Sequence, residues 1–415
     1  LLTPYLTPPS VVTGDRRTVE RPVPTPPLPQ PFSFKKRRKR VIGALFALLA
    51  LLIVSSGIGA FFLLQHQRSS SVITATTVVG HAYFLSSGLL DERNSQGTVD
   101  ELQIELQNIP VPAPGKSYYA WLLRDKNATE NAGPGASILL GTLSVHVGAV
   151  HFHFGGDQQH TNLVSIYSQL LITEEPAGNF TPQQPSTDHT TWRYYAELPQ
   201  TPTPLRNNRS ALDFLHVLLY EGGFLRVLGI HGGPVVQLLR HTQKVWEFVN
   251  SARDSKDTAF IRRQIIRTLD YLDGVPAVQL DVPPGTPLLA DKRLVQVPLI
   301  DIAPQNPIKS YASRINDAIL AFLQCPGITP EMRQLATLSD RAILYNLLPW
   351  LQQVRQDAKQ LVHLTDPQLS RPQALSLLDD MVTNAGFAFN GRLDPATDEV
   401  QPGVVEIYYL SLIHI

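Results

Sequence analysis

Residues 41–64, VIGALFALLALLIVSSGIGAFFLL, run for 24 positions without a charged side chain. A hydrocarbon core of about 30 Å takes roughly 20 apolar residues at helical rise, so the run is long enough to cross with some tilt. In lipid a lone segment satisfies its backbone hydrogen bonds by coiling into a helix. A secretory signal has a shorter apolar stretch, about 7–15 residues, closed by a small-residue cleavage site. Ser55 and Ser56 imitate such a site, but Phe61, Phe62, Leu63 and Leu64 still follow them. The expectation is a single-pass membrane protein with its transmembrane helix over 41–64.

The flanks orient the span. Lys35, Lys36, Arg37, Arg38, Lys39 and Arg40 form an unbroken basic block before it, whereas Gln65, His66, Gln67 and Arg68 follow it. Positive charge stays on the cytoplasmic side, which puts residues 1–40 inside and residues 65–415 outside the plasma membrane. The basic block then lies against anionic lipid headgroups, so the lipid bilayer is the first expected partner. The whole chain is formally neutral, yet residues 1–40 hold 9 Lys/Arg against 2 Asp/Glu, leaving 26 against 33 beyond. A mildly acidic exterior argues against nucleic acid as a partner. Cys325 is the single cysteine, which excludes an intrachain disulfide and a cysteine-rich metal site.

Residues 1–34 contain nine prolines, and the tract Arg21-Pro22-Val23-Pro24-Thr25-Pro26-Pro27-Leu28-Pro29 reads as extended polyproline. With the basic block it makes a tail over 1–40. A polar stalk over 65–72 follows the span. Short runs rich in Val, Ile, Thr, Tyr and Phe then predict strands at 73–79, 102–106, 118–123, 138–145, 149–154, 164–172 and 192–198. Leu102, Ile104 and Leu106 share one face of such a strand, while Gln103, Glu105 and Gln107 take the other. Seven strands at this spacing predict an all-β antiparallel sandwich over 73–198.

A Pro-rich linker over 199–207 separates this region from one of helical period, in which Tyr311, Ile315, Ile319 and Leu323 recur every four residues. Thr329-Pro330 and Asp366-Pro367 mark helix starts, and Gly222 and Gly274 mark stops. The pattern predicts helices near 209–221, 234–251, 256–273, 308–323, 330–363 (broken at Pro349) and 367–385. Residues 275–304 read as a proline-interrupted hairpin. Residues 208–409 are therefore expected to form a mainly α-helical, bundle-like domain. The last six residues, 410–415 (LSLIHI), look like the translation of a sequencing-library transposon end, and the chain opens on Leu1 rather than Met, so both ends are expected to be incomplete.

Val150-His151-Phe152-His153-Phe154, followed by His160, is the candidate metal site. In a strand His151 and His153 point to one face, and His160 folds back across Gly155-Gly156. His146 or Asp157 would complete a set suited to Zn or Cu. The same residues also fit a plain amphipathic strand, with Val150, Phe152 and Phe154 in the core and the histidines in water. No other cofactor is expected. The chain shows no G-x-S-x-G elbow, H-E-x-x-H, P-loop, G-x-G-x-x-G or EF-hand loop. Glu174-Glu175 is a carboxylate pair, but adjacent strand residues face opposite ways, so a shared acid/base site is not expected there. The reading is non-enzymatic.

Three stretches carry a family resemblance: Tyr118-Tyr119-Ala120-Trp121-Leu122, Leu140-Gly141-Thr142-Leu143, and Ile172-Thr173-Glu174-Glu175-Pro176-Ala177-Gly178 with Pro182. Together with the 102–110 run ending in Asn108-Ile109-Pro110, they resemble the extracytoplasmic domain of anti-sigma-K factors over about residues 73–187. The resemblance implies a sandwich in which the Trp121 indole is the buried anchor, and a membrane-tethered role in signalling. Members of that family also carry a cytoplasmic domain that grips the sigma factor. Residues 1–40 contain nothing of the kind, so no sigma binding is implied. The resulting expectation is an extracytoplasmic sensor or interaction protein engaging an envelope protein or ligand; the alternative is a metal-binding module built on the histidines.

Overall fold

The alternation of apolar and polar residues from Glu101 to Gln107 folds as a strand that buries Leu102, Ile104 and Leu106 and leaves Gln107 exposed. The computed structural model describes residues 78–89, 96–125, 137–178, 182–204, 207–220, 223–302 and 308–410. The tail over 1–40, the span over 41–64, the stalk, Gly222 and residues 411–415 lie outside these. Among the described residues, no helix is long and apolar enough to cross a membrane.

Seven strands come first: β1 Gly80–Leu85, β2 Glu101–Gln107, β3 Lys116–Arg124, β4 Ser137–Leu143, β5 Ala149–Phe154, β6 Tyr167–Pro176 and β7 Trp192–Glu197. Six match the sequence reading to within a few residues. The first was expected at 73–79; residues 78 and 79 are not in a strand, and β1 starts at Gly80. All pairing is antiparallel, in a three-stranded sheet ordered β1-β2-β5 and a four-stranded sheet ordered β4-β3-β6-β7. Ala82, Phe84, Leu102, Ile104 and Val150 from the first sheet share one core with Tyr118, Ala120, Leu122, Leu140 and Ile172 from the second. Gly141 is a glycine for a steric reason: a Cβ there would meet the Phe152 ring at 2.9 Å.

Trp121 is buried, as the resemblance implies, but it packs apart from the shared core. It lies within a separate cluster with Tyr119 and Leu171, covered by Leu123, Leu139 and Trp192. Strand residues one apart face opposite ways, so Ala120 and Leu122 take the shared core and Trp121 the other face. The indole N–H donates to Thr173 Oγ1 at 3.0 Å, Thr173 donates to Glu175 at 2.7 Å, and Glu175 also accepts from the Ser186 amide. The four-stranded sheet is thus packed on both sides, and the indole fastens the outer one.

The helical region comprises α1 Ala211–Leu219, α2 Gly223–Val227, α3 Pro234–Asp254, α4 Thr258–Ala277, α5 Tyr311–Phe322, α6 Pro330–Ala342, α7 Leu348–Val362, α8 Asp366–Leu369, α9 Pro372–Asn390 and α10 Val404–Leu410, with a minimal hairpin β8 Arg392–Leu393 and β9 Val400–Gln401. Side chains cap the starts. Ser210 and Asp213 form a reciprocal capping box, Asp257 accepts from the Ala259 and Phe260 amides, and Thr329 accepts from Met332. Helices α3, α4, α7 and α9 pack pairwise in a closed cycle: α3 on α4, α4 on α7, α7 on α9, α9 on α3. Regular α4 geometry ends at Gly274, whose φ of 66° suits glycine and whose Cβ would stand 3.0 Å from the Pro298 nitrogen.

Two expectations change here, and a third, the break near Pro349, takes a definite form. The long helix at 330–363 is interrupted by a π turn, Ile343–Leu347, directly before α7, which carries Pro349 in its first turn. Proline has no amide hydrogen and crowds the carbonyl four residues back, and the wider turn accommodates both. The helix at 367–385 is two, because Arg371, held at φ −84° and ψ 155° before Pro372, is extended. Among the described residues, 275–302 form no hairpin. Beyond the end of α4, the prolines there deny a strand ladder its donors, and the segment instead makes two 3₁₀ turns, Val278–Leu280 and Leu294–Gln296. Asp270 on α4 holds it by accepting the Leu289 and Ala290 amides at 2.8 and 2.9 Å.

Strands and helices belong to one compact unit, Thr77–Ile415, with a single main core running through both. The proline segment after β7 is packed into this unit: Leu198 is fully buried, the Pro199 carbonyl accepts from Leu212, and Thr203 bridges to Arg209. His216 on α1 meets the Val164 carbonyl at 2.8 Å, and Asn162 donates to the Leu219 carbonyl at 3.2 Å.

Candidate functional site

Strand register gathers His81, Tyr83, Glu105, His151 and His153 on the outer face of the three-stranded sheet. His81, Glu105 and His151 stand in one cross-strand row, and Tyr83, Gln103 and His153 in the next. His151 Nδ1 lies 3.9 Å from Glu105 Oε1, and His153 Nε2 lies 3.1 Å from Glu101 Oε2. The side chains of His151 and His153 are 72% and 52% exposed, as expected when Val150, Phe152 and Phe154 take the inner face. Tyr83 is held above the usual tyrosine range by burial first and the nearby Glu105 carboxylate second.

His160 does not join them. It sits at the end of the sheet with φ 49°, and its Nδ1 meets Oδ2 of the fully buried Asp100 at 2.8 Å. Asp100 also accepts the Ser87 amide at 2.9 Å through its other oxygen. Val99 beside it is fully buried at φ 54°, a left-handed conformation that a β-branched residue adopts only under constraint. The constraint is visible: the Val99 amide donates to Ser86 Oγ at 2.8 Å, and Tyr408 on α10 donates to the same oxygen at 2.6 Å. Asp157 accepts the Gln159 and Thr161 amides; burial works against its charge, but these bonds outweigh it and hold the carboxyl below the usual range. Among the described residues, no group of three or more His, Cys, Asp or Glu converges as the side chains stand. The expected trio of His151, His153 and His160 is therefore divided, two residues on the sheet face and one tied to Asp100.

The motif residues Glu174 and Glu175 point opposite ways, as the alternation requires. Glu174 accepts the Ala113 amide at 2.7 Å and Arg193 Nε at 2.7 Å, and these bonds hold its carboxyl below the usual range. Both carboxylates fasten loops.

In the helical region Arg355 on α7 donates to Asp273 at 2.7 Å and to Asp281, and Lys359 lies 2.7 Å from Asp281. Burial pushes Asp273 up to about 8, with Asp281 adding to the shift and Arg355 opposing it. Burial acts on Asp281 too, but Lys359, Asp273 and Arg355 outweigh it and hold that carboxyl low. His241 on α3 lies edge-on to Tyr271 and Tyr311, with ring centroids 4.9 and 5.0 Å away. Its Nδ1 is buried without a hydrogen-bond partner, and burial, helped by Arg240, depresses its pKa to about 3.

His81, Glu105, Asp100 and Tyr408 were not singled out from sequence. His81 was hidden because the opening strand was placed at 73–79, and its row with Glu105, which was read only as an outward-facing strand residue, appears once β1 is known to start at Gly80. No family model, no curated protein and no solved structure matches the chain.

Proposed function

We propose that this is a membrane-anchored, extracytoplasmic interaction protein, non-enzymatic and related in design to anti-sigma factors. The carrying observation is the uncharged run over 41–64 directly behind Lys35, Lys36, Arg37, Arg38, Lys39 and Arg40. Together they insert the chain once, hold the basic block against anionic headgroups, and leave the unit Thr77–Ile415 outside, where an envelope protein or ligand is its partner. We read its two sheets as one sandwich and its α3-α4-α7-α9 cycle as a bundle built on the same core. Supporting the signalling half is the resemblance over about 73–187, in which Glu174, Glu175 and Trp121 all make structural bonds.

Fusions in a bacterial host test this reading. Alkaline phosphatase joined after residue 409 is expected to be active, and green fluorescent protein joined there dark. A fluorescent, phosphatase-negative fusion would reverse the orientation and remove the proposal.

A further inference from the structure

We infer that the end of the strand region at which β1 begins docks on the phospholipid bilayer, with the side chains of Val78, Val111 and Val147 dipping into its interface. Two backbone bonds bring these valines to one end. Val79 accepts the Gln107 amide at 2.7 Å, so Val78 lies beside the end of β2. Gly148 accepts the Ile109 amide at 2.9 Å, which sets the turn before β5 against the loop that carries Val111. Val78 and Val111 are 75% and 73% exposed, and Val147 is fully so. Val147 is the residue the fold does least to explain. His146 and Ala149 exchange both backbone bonds, at 2.8 and 2.9 Å, around a two-residue turn in which Val147 and Gly148 have φ of 50° and 75°. Turns of that kind favour Asn or Asp before the glycine, since a β-branched side chain resists positive φ. At Val99 the same conformation is enclosed by the core, whereas the Val147 side chain is left in water. An apolar side chain held out on an unfavourable backbone is stabilised once an apolar medium receives it.

The surrounding chemistry suits lipid. The loops at this end, 108–116, 144–148 and 176–178, read NIPVPAPGK, SVHVG and PAG. Ala177 joins the last to the first by donating to the Gly115 carbonyl at 2.8 Å. They contain no carboxylate and one fixed charge, the exposed Lys116. Glu174 and Asp188 are the acidic groups near enough to feel it, and Glu174 is already occupied by Ala113 and Arg193. Apolar tips around a single lysine match the layering of a membrane interface, with phosphate above hydrocarbon. The tether acts on the same end. This step rests on reading 41–64 as a span, after which the 15 residues 65–79 lead to Gly80. At about 3.3–3.6 Å per residue their full extension is roughly 50 Å, so the start of β1 is the part of the strand region that the chain itself keeps close to the bilayer.

The test is spin labelling of the full chain in vesicles of phosphatidylethanolamine and phosphatidylglycerol. Val111→Cys, Val147→Cys, Gln158→Cys and Ala50→Cys are each made in a Cys325→Ala background, labelled with a nitroxide, and checked for the parent's circular dichroism spectrum. Gln158 is exposed beyond the far end of β5 and serves as the reference in water. Relative to it, labels at Val111 and Val147 are expected to favour collision with dissolved oxygen over a water-soluble nickel chelate by about threefold or more, as immersion by about 5–10 Å requires. Values at Val111 and Val147 equal to that at Gln158, with the Ala50 label in the bilayer, would overturn the docking and leave the anchor standing. A water-exposed Ala50 label would remove the span and the docking with it. Labels shielded from both oxygen and nickel would mark a protein partner on this end, which equally overturns the inference.

Discussion

His241 shows how one buried ring sets the acid response of this fold. It is neutral between Tyr271 and Tyr311, with a folded pKa of about 3 against an ordinary value of 6.5. Between those values the unfolded chain binds a proton that the folded chain refuses, so stability is fully present above pH 6.5 and falls as pH drops toward 3. One such proton steepens the acid limb by up to about 1.4 kcal/mol per pH unit. His241→Phe keeps the aromatic edges and removes both the titration and the unpartnered Nδ1. Urea midpoints measured from pH 7 to 4 should therefore fall less in the variant than in the parent. Equal slopes would mean that His241 is protonated or solvated in the native state. Such a residue is not legible in sequence, because an apolar helix face around a histidine looks the same whether the ring is buried or wet. Trp121 teaches the same lesson. Its burial was readable, but the side of the sheet it faces was not, since that depends on which neighbours, here Leu139 and Trp192, fold over it.

Among the elements, the α4–α7 contact carries the heaviest charge. Arg355 on α7 is bonded to Asp273 on α4 and to Asp281 in the turn after it, both buried. Removing one member of a buried ionic group leaves the others uncompensated and costs about 3–5 kcal/mol, whereas replacing the whole group with neutral residues costs far less. Arg355→Met is expected to lose that much in chemical denaturation, and Asp273→Asn/Asp281→Asn/Arg355→Met to recover most of it. A loss under about 1 kcal/mol for the single variant would show that the carboxyls find water instead. At this scale the sequence was informative where local signals act. Thr329 and Gly274 mark boundaries that the backbone keeps, because caps and left-handed stops depend on a few adjacent residues. It misled at 275–304, because proline cannot donate to a strand ladder, and at 367–385, because the residue before Pro372 is pushed out of the helical region.

Across the whole molecule, the β and helical regions share one core, and the proline segment between them is packed into it. The expected consequence is cooperative unfolding. Trp121 and Trp192 report on the sheets, Trp246 and Trp350 on the helices. In each variant retaining only one of these pairs, the fluorescence midpoint should coincide with the circular dichroism midpoint of the same variant, as a two-state unit requires. Two separated midpoints would restore an independent boundary at 199–207. The composition change at that boundary was real, but composition does not disclose whether two regions touch.

Ser86 and Tyr408, bonded through their hydroxyls, lie 322 positions apart in the chain. A ribosome adding about 5–20 residues per second needs roughly 15–65 s to travel that far. For that interval the loop beside β1, with Val99 and Asp100, waits for a helix not yet made. The Ser86 hydroxyl therefore gains its last partner only late in synthesis, once the helix that bears Tyr408 has been made.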